Sequence, residues 1–151
     1  MIRFMTRSRG EPKPWVSHVA IAVNTTDIVE ALGEGVVQRK LSAVYKPRQI
    51  RVFRPLNIPE AALRRIAHHA QLSVGQKYGW GKVALQALDA MFNVRFFRNF
   101  AVVDGWPICS WLLGAAYAIE SYTFGVDTRY LTPDDIADYV STHHQRYRRI
   151  S

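Results

Sequence analysis

The residue best suited to chemistry in this chain is its only cysteine, Cys109, which lies in the stretch PICSW of residues 107–111. A single thiol is commonly a small buried apolar side chain. Here a proline precedes it, and apolar residues follow at the three- and four-residue steps of one helix face. These are Leu112, Ala115, Ala116 and Ile119. The spacing predicts a helix over residues 109–120 that begins at Cys109.

The start of a helix favours the reactive form of a cysteine. Unpaired amide groups and the positive end of the helix dipole stabilise a thiolate there. A thiolate attacks carbonyl carbon, provided that a base takes up the thiol proton. Cys109 is therefore the candidate nucleophile.

The candidate base is His18, in the stretch WVSHVAIAV of residues 15–23. Its Val and Ile content predicts a strand, bounded by the turn residues 24–26. A lone strand histidine is more often a core residue with satisfied hydrogen bonds, and this alternative stays open. The neighbours Ala20 and Ala22 leave room on the histidine's face for a closely packed helix, and the cysteine helix is rich in small residues.

The candidate orienting acid is Glu30, in a second predicted strand over residues 27–32. A hairpin with an odd-length loop at 24–26 places Glu30 opposite Ala20, one diagonal step from His18. An even-length loop would turn Glu30 to the other face. Because an unpaired glutamate inside an apolar strand is costly, a histidine partner also explains its position structurally. Asp104 is a lesser candidate for the same role.

Five short motifs match a known pattern when taken together: SHVAIAV, IVEALGEGV, GQKYGW, ICSWLLGAA and LTPDDI. Over residues 15–140 the chain resembles the circularly permuted branch of the NlpC-type papain-like cysteine hydrolases, the YiiX/YebB-like proteins, in a compact phage or prophage version. Ordinary papain-like enzymes place the cysteine helix before the histidine strand, whereas here His18 precedes Cys109. The resemblance implies a triad of Cys109, His18 and Glu30.

The resemblance also implies the reaction and part of the substrate surface. The reaction would be hydrolysis of an amide or ester bond through an acyl-enzyme, with a small peptide or acyl substrate, cell-wall peptides among them. The tyrosine that lines the cleft in relatives corresponds to Tyr78, and we add Trp80 and Ser17 as candidate substrate contacts. No cofactor or metal is expected.

Two other functions compete with this interpretation. Lipid-type acyltransferases and thioesterases share the order of histidine before cysteine, but they usually carry NCEH where this chain has ICSW. The other alternative is a non-catalytic structural or binding module, for instance a virion component. A cysteine paired with histidine at a helix start reacts with small electrophiles, whereas a buried structural cysteine does not, so thiol labelling separates these functions.

The composition predicts one domain over residues 1–151. A chain of 151 residues with 48% hydrophobic content supports one core. The formal charge of +8 suggests an acidic partner such as an anionic cell-wall polymer, but the charges are scattered. We therefore interpret them mainly as a solubilising surface and do not expect nucleic acid as a partner. One cysteine cannot build an internal disulfide framework or a cysteine-based zinc site.

The ends and apolar stretches of the chain bear on its location. The first residues, MIRFMTRSRG, lack the apolar core of a signal peptide. The longest uncharged stretch, residues 105–119, is shorter than the roughly 20 residues that span a bilayer. We therefore expect no transmembrane segment and a cytoplasmic protein, with release or virion association if it is phage-encoded. Two histidine pairs, at 68–69 and 143–144, are interpreted as surface residues rather than metal ligands.

The order of predicted elements gives the fold class. Strands are expected at residues 2–6, 15–23, 27–32, 36–40 and 49–55. Helices are expected from Pro59 in the first turn to Gly75, at 82–92, at 109–120, and after a capping box of Thr132 and Asp135. Strands followed by helices indicate an α+β fold. With the resemblance, this predicts a permuted papain-like domain, with an antiparallel sheet of about five strands and the cysteine helix against the His18 strand.

Overall fold

The computed structural model describes residue 16 and residues 18–44, 50–77 and 108–150. Within them lie five strands and four helices. In chain order these are β1 (Ile21–Ala22), β2 (Asp27–Leu32), β3 (Gly35–Lys40), α1 (Leu41–Val44), β4 (Phe53–Pro55), α2 (Glu60–Leu72), α3 (Cys109–Ala118), α4 (Pro133–Thr142) and β5 (Tyr147–Arg149). The predicted α+β class is confirmed. The predicted strand at 2–6 and helix at 82–92 lie outside the described residues.

The β1–β2 hairpin has the register that the sequence argument required. Ile21 pairs with Val29 and Ala22 with Ile28, which is the pairing of the odd-length loop. The Asn24 side chain fixes the turn, because its Oδ1 accepts hydrogen bonds from the backbone N–H groups of Thr26 at 2.8 Å and Asp27 at 2.7 Å. The turn therefore fixes the register of the hairpin, and the register decides on which face Glu30 lies.

The middle strand, β2, is buried from Ile28 to Ala31, so both of its faces contact other parts of the protein. It pairs antiparallel with β3, and Leu32 opposes Gly35 across a two-residue turn. Gly35 has φ +129°, and a Cβ there would lie 2.6 Å from the backbone oxygen of Gln76. This close approach accompanies backbone hydrogen bonds between Val36 and residues 75–76, which cover the outer edge of β3.

The prediction of one sheet with about five strands is wrong for the described residues. Their strands form a three-stranded sheet, β1-β2-β3, and a separate two-stranded sheet, β4-β5. β4 is only three residues long and ends at Pro55, which has no N–H to donate to a ladder. Its partner β5, in the basic C-terminal segment, was not predicted. The strand expected at 15–23 is also shorter, since β1 covers Ile21–Ala22 and His18 lies just before it.

The helices follow the sequence pattern closely at their starts. Pro59 is the N-cap of α2 rather than a residue of its first turn, and α2 buries Ala62, Ile66 and Ala70. α4 begins with the predicted capping box, in which Thr132 and Asp135 hydrogen-bond each other's backbone N–H groups. The short helix α1 was not predicted.

The cysteine helix, α3, lies at the centre of the described core and packs against α2, β2 and α4. α3 packs mainly on β2, which carries Glu30, rather than on β1 as expected. A Cβ at Gly114 would lie 2.8 Å from side-chain atoms of Leu131 and Thr128, so the glycine allows this helix to approach closely. No helix among the described residues has the length and apolar character needed to cross a membrane.

Candidate active site

Cys109 is the first residue of α3, as its sequence context predicted. Ile108 has an extended backbone as the N-cap, and its apolar side chain makes no capping hydrogen bond. The backbone N–H of Cys109 is one of the first amide groups of α3, which have no partner within the helix itself. The Cys109 residue is 8% exposed, so a small acyl group or electrophile has only a narrow approach to it.

His18 and Glu30 form the predicted pair. The Nε2 atom of His18 lies 2.8 Å from Oε2 of Glu30, and Glu30 is completely buried. The contact follows from the hairpin register, which puts Glu30 on the same face as His18 and one diagonal step away. A buried carboxylate at one ring nitrogen fixes the orientation of the imidazole.

His18 also interacts with Cys109, and the two partners together set its charge. Burial lowers the pKa of His18, but hydrogen bonds to Cys109 and Glu30 and their negative charges raise it, with a net pKa of about 9. The imidazole is therefore protonated at neutral pH. A positive imidazolium beside a sulfur stabilises negative charge on that sulfur. Because Nε2 bonds Glu30, Nδ1 is the ring nitrogen that remains for proton exchange with the thiol.

Ser110 holds the start of α3 in place, a role that was not predicted from the sequence. Its hydroxyl donates a hydrogen bond of 2.6 Å to the backbone oxygen of Leu131, and both residues are buried. Leu131 directly precedes Thr132, the N-cap of α4. The bond therefore joins the starts of the two helices one residue away from the nucleophile. A small polar residue within an apolar helix was the signal available in the sequence.

The remaining predicted site residues lie outside the described part of the chain. These are Ser17, Tyr78 and Trp80 of the expected substrate surface, and Asp104, the alternative acid. Within the described ranges, no group of three or more His, Cys, Asp or Glu side chains is arranged to hold a metal ion. The geometry thus joins three of the predicted residues: Cys109, His18 and Glu30.

Such a constellation can carry out acyl transfer, because it combines a sulfur nucleophile, a base and an acid that orients the base. The chain matches no family model, no curated protein and no solved structure. These three side chains and their surroundings are therefore the basis for inferring a function.

Proposed function

We propose that this protein is a cysteine hydrolase that cleaves an amide or ester bond, with a circularly permuted papain-like arrangement. The observation that carries the proposal is the His18 imidazole, held between the buried Glu30 carboxylate and the thiol of Cys109. Cys109 would be the nucleophile, His18 the proton carrier and Glu30 the group that orients the ring. These are the three roles that acyl transfer through a thiol requires.

In the first step, the Cys109 thiolate attacks the substrate carbonyl and forms a carbon–sulfur bond. The carbonyl electron pair moves to oxygen, which becomes an oxyanion. When this oxyanion collapses, the bond to the leaving amine or alcohol breaks, and the leaving group takes a proton from the His18 imidazolium. The product is an acyl-enzyme on Cys109 with a neutral imidazole beside it.

In the second step, neutral His18 takes a proton from water as the water attacks the acyl carbonyl. Collapse of the second oxyanion releases a carboxylic acid and returns the thiolate beside the imidazolium. Throughout, Glu30 accepts the hydrogen bond from Nε2 and stabilises the charged ring. The backbone N–H of Cys109, at the start of α3, is one donor for the oxyanions.

For the substrate we propose cell-wall peptides, because of the resemblance to NlpC-type hydrolases in five sequence motifs. A phage- or prophage-encoded protein would meet such peptides after release or as part of a virion. The excess of basic residues suits a substrate carried on an anionic wall polymer, although scattered charges give only weak attraction.

The test is acyl-enzyme formation measured by intact-mass spectrometry. The protein is mixed with p-nitrophenyl acetate and, separately, with peptidoglycan tetrapeptide amides. We expect one acyl group on the wild type, none on Cys109→Ala and strongly slowed transfer on His18→Gln. His68→Gln is the matched control, since His68 is an exposed histidine of α2 and should leave the rate unchanged.

Two results would redirect the assignment. Wild-type turnover by Cys109→Ala, or no adduct on the folded wild type with any activated acyl donor, would replace the hydrolase with a binding module. Acyl transfer from a phospholipid or thioester to an amine, with no release to water, would indicate the lipid-type acyltransferase instead.

A further inference from the structure

The C-terminal end of α3 contains a residue in an unfavourable backbone conformation. Ser121 has φ 61°, the one non-glycine residue with positive φ among those that the structure describes. Its N–H donates to Ala118 O at 2.9 Å, and the next N–H, of Tyr122, donates to Tyr117 O at 3.2 Å. This helix-ending pattern normally has glycine at the left-handed position, because a Cβ there is strained. A serine in this place indicates a use for its side chain.

Ser121 lines a cavity of about 390 Å³. Polar and aromatic residues make up most of the lining, among them Asn57, Tyr122, Thr123, Tyr139 and Arg146. A second depression of about 360 Å³, formed by residues 142–146, shares Arg146 with the first. Arg146 therefore lines both depressions, and none of the described residues that line them is acidic.

The hydrogen-bonding groups of this cavity are mostly available to a ligand. The hydroxyls of Ser121, Tyr122 and Thr123 make no hydrogen bond to any other described residue. The Arg146 guanidinium donates once, from Nη1 to the Tyr139 hydroxyl at 3.1 Å, which leaves its other N–H groups to bind an oxyanion. Hydroxyls and tyrosine rings suit a hydroxylated ring, and an unneutralised guanidinium suits a carboxylate or phosphate.

We propose that this cavity binds an anionic sugar, with the acidic group at Arg146 and the ring hydroxyls at Ser121 and its neighbours. The helix dipole fixes this orientation, because the C-terminal end of α3 carries partial negative charge and disfavours an anion beside Ser121. α3 has ten residues, so it separates the cavity from Cys109 by roughly 15 Å. The site is distinct from the proposed cysteine chemistry.

Calorimetric titration tests the site with four probes: glucuronate, glucose 6-phosphate, glucose and inorganic phosphate. We expect both anionic sugars to bind at least tenfold more tightly than glucose or phosphate alone. The two anionic probes distinguish a carboxylate from a phosphate preference. Arg146→Gln should abolish the preference for anionic sugars, and Arg146→Lys should retain part of it. Arg54→Gln, an exposed arginine outside the cavity, is the matched control.

Ser121→Gly separates a ligand role from a structural one. It removes the backbone strain, so Tm should rise by about 2–4 °C, while glucuronate or glucose 6-phosphate binding weakens several-fold. Acylation of Cys109 should not change, which keeps this test independent of the hydrolase proposal. Higher stability with unchanged sugar binding, equal binding of glucose and glucuronate, or no binding of any probe at millimolar concentrations would overturn the site.

Discussion

At the scale of single residues, the charge on His18 links the candidate site to protein stability. In the unfolded chain a histidine has its ordinary pKa of 6.5, whereas the native surroundings raise the pKa of His18 to about 9. The folded protein therefore binds a proton that the unfolded chain releases between these values. The stabilisation is complete below pH 6.5 and is lost as the pH rises through 9.

This gives a prediction for unfolding. Between pH 6.5 and 9, the wild type should lose on the order of 2–3 kcal/mol of unfolding free energy relative to His18→Gln. Urea denaturation at a series of pH values measures the difference, with His68→Gln as a control that should follow the wild type. Parallel pH curves for wild type and His18→Gln would contradict the native charge assigned to His18.

Glu30→Gln tests the orienting carboxylate. The change removes a negative charge 2.8 Å from His18 Nε2 while it keeps the shape of the side chain. The pKa of His18 should fall, and acyl-enzyme formation should slow by about 10²–10⁴-fold, as for orienting acids in other triads. An NMR titration of His18 and mass spectrometry give the two readouts. An unchanged His18 titration would exclude the charge interaction.

The relation of His18 to Glu30 was predictable because it depends on the length of one turn. With a loop of odd length, the alternation of side chains along the strands places Glu30 on the same face of the hairpin as His18. The approach of Cys109 was not predictable in this way, since it requires α3 to dock on β2 from far along the chain. The family resemblance supplied that expectation.

At the scale of elements, the junction between α3 and α4 depends on the hydroxyl of Ser110. Ser110→Ala leaves the buried Leu131 oxygen without this donor and should cost about 1–3 kcal/mol of unfolding free energy. It should also change the pH profile of Cys109 alkylation, because the start of α3 loses its anchor. Ser73→Ala removes a longer bond, 3.3 Å to His69 O in α2, and serves as control. If the pH profile of Cys109 alkylation is unchanged in Ser110→Ala, Ser110 contributes only to core stability and does not position the start of α3.

The β4–β5 pair shows why the smaller sheet was missed. The strand expected at 49–55 contains β4, whereas β5 was not expected: it has three residues, two of them exposed arginines, so it lacks the apolar alternation that marks a strand. Arg54 lies directly opposite Arg148, and both are exposed. Packing of the buried Tyr147 against the common core, rather than the strand pattern, accounts for the pairing.

The opposed arginines give a prediction of stability. Arg54→Glu replaces a cross-strand repulsion with an attraction and should raise the unfolding free energy by about 0.2–1 kcal/mol. The double variant Arg54→Glu/Arg148→Glu restores like charges and should lose this gain. Urea denaturation at low salt measures both. Equal stability of the single and double variants would mean that the pair does not interact.

At the scale of the whole molecule, the charge of +8 is spread over a surface where several arginines already have acidic partners. Arg65 donates to both carboxylate oxygens of Glu120, at 2.6 and 2.8 Å, and Arg129 pairs with Asp127. Such pairs reduce the positive field that a polymer would meet. This supports the interpretation of the charges as mainly solubilising.

Binding to poly-glutamate, an anionic polymer without sugar rings, should therefore be weak at low salt and vanish near physiological ionic strength. Fluorescence anisotropy of labelled polymer across a salt series measures it. The Arg54→Glu variant should shift the curve only slightly, because no single residue dominates the surface. Tight binding that persists at physiological salt would instead reveal a dedicated polyanion surface.

The β1–β2 hairpin has a consequence for the way the site assembles during folding. His18 and Glu30 are 12 residues apart, so their contact closes a short loop. The contact between Cys109 and His18 closes a much longer loop, about three doublings of the first loop's length. Closing it costs roughly 2 kcal/mol more in chain entropy than closing the first loop. The acid and base can therefore meet by a local search, whereas the nucleophile arrives only when α3 docks. Substitutions in the Asn24 turn should slow refolding because they slow formation of the His18–Glu30 contact. Substitutions at Gly114 should slow it because they slow the docking of α3.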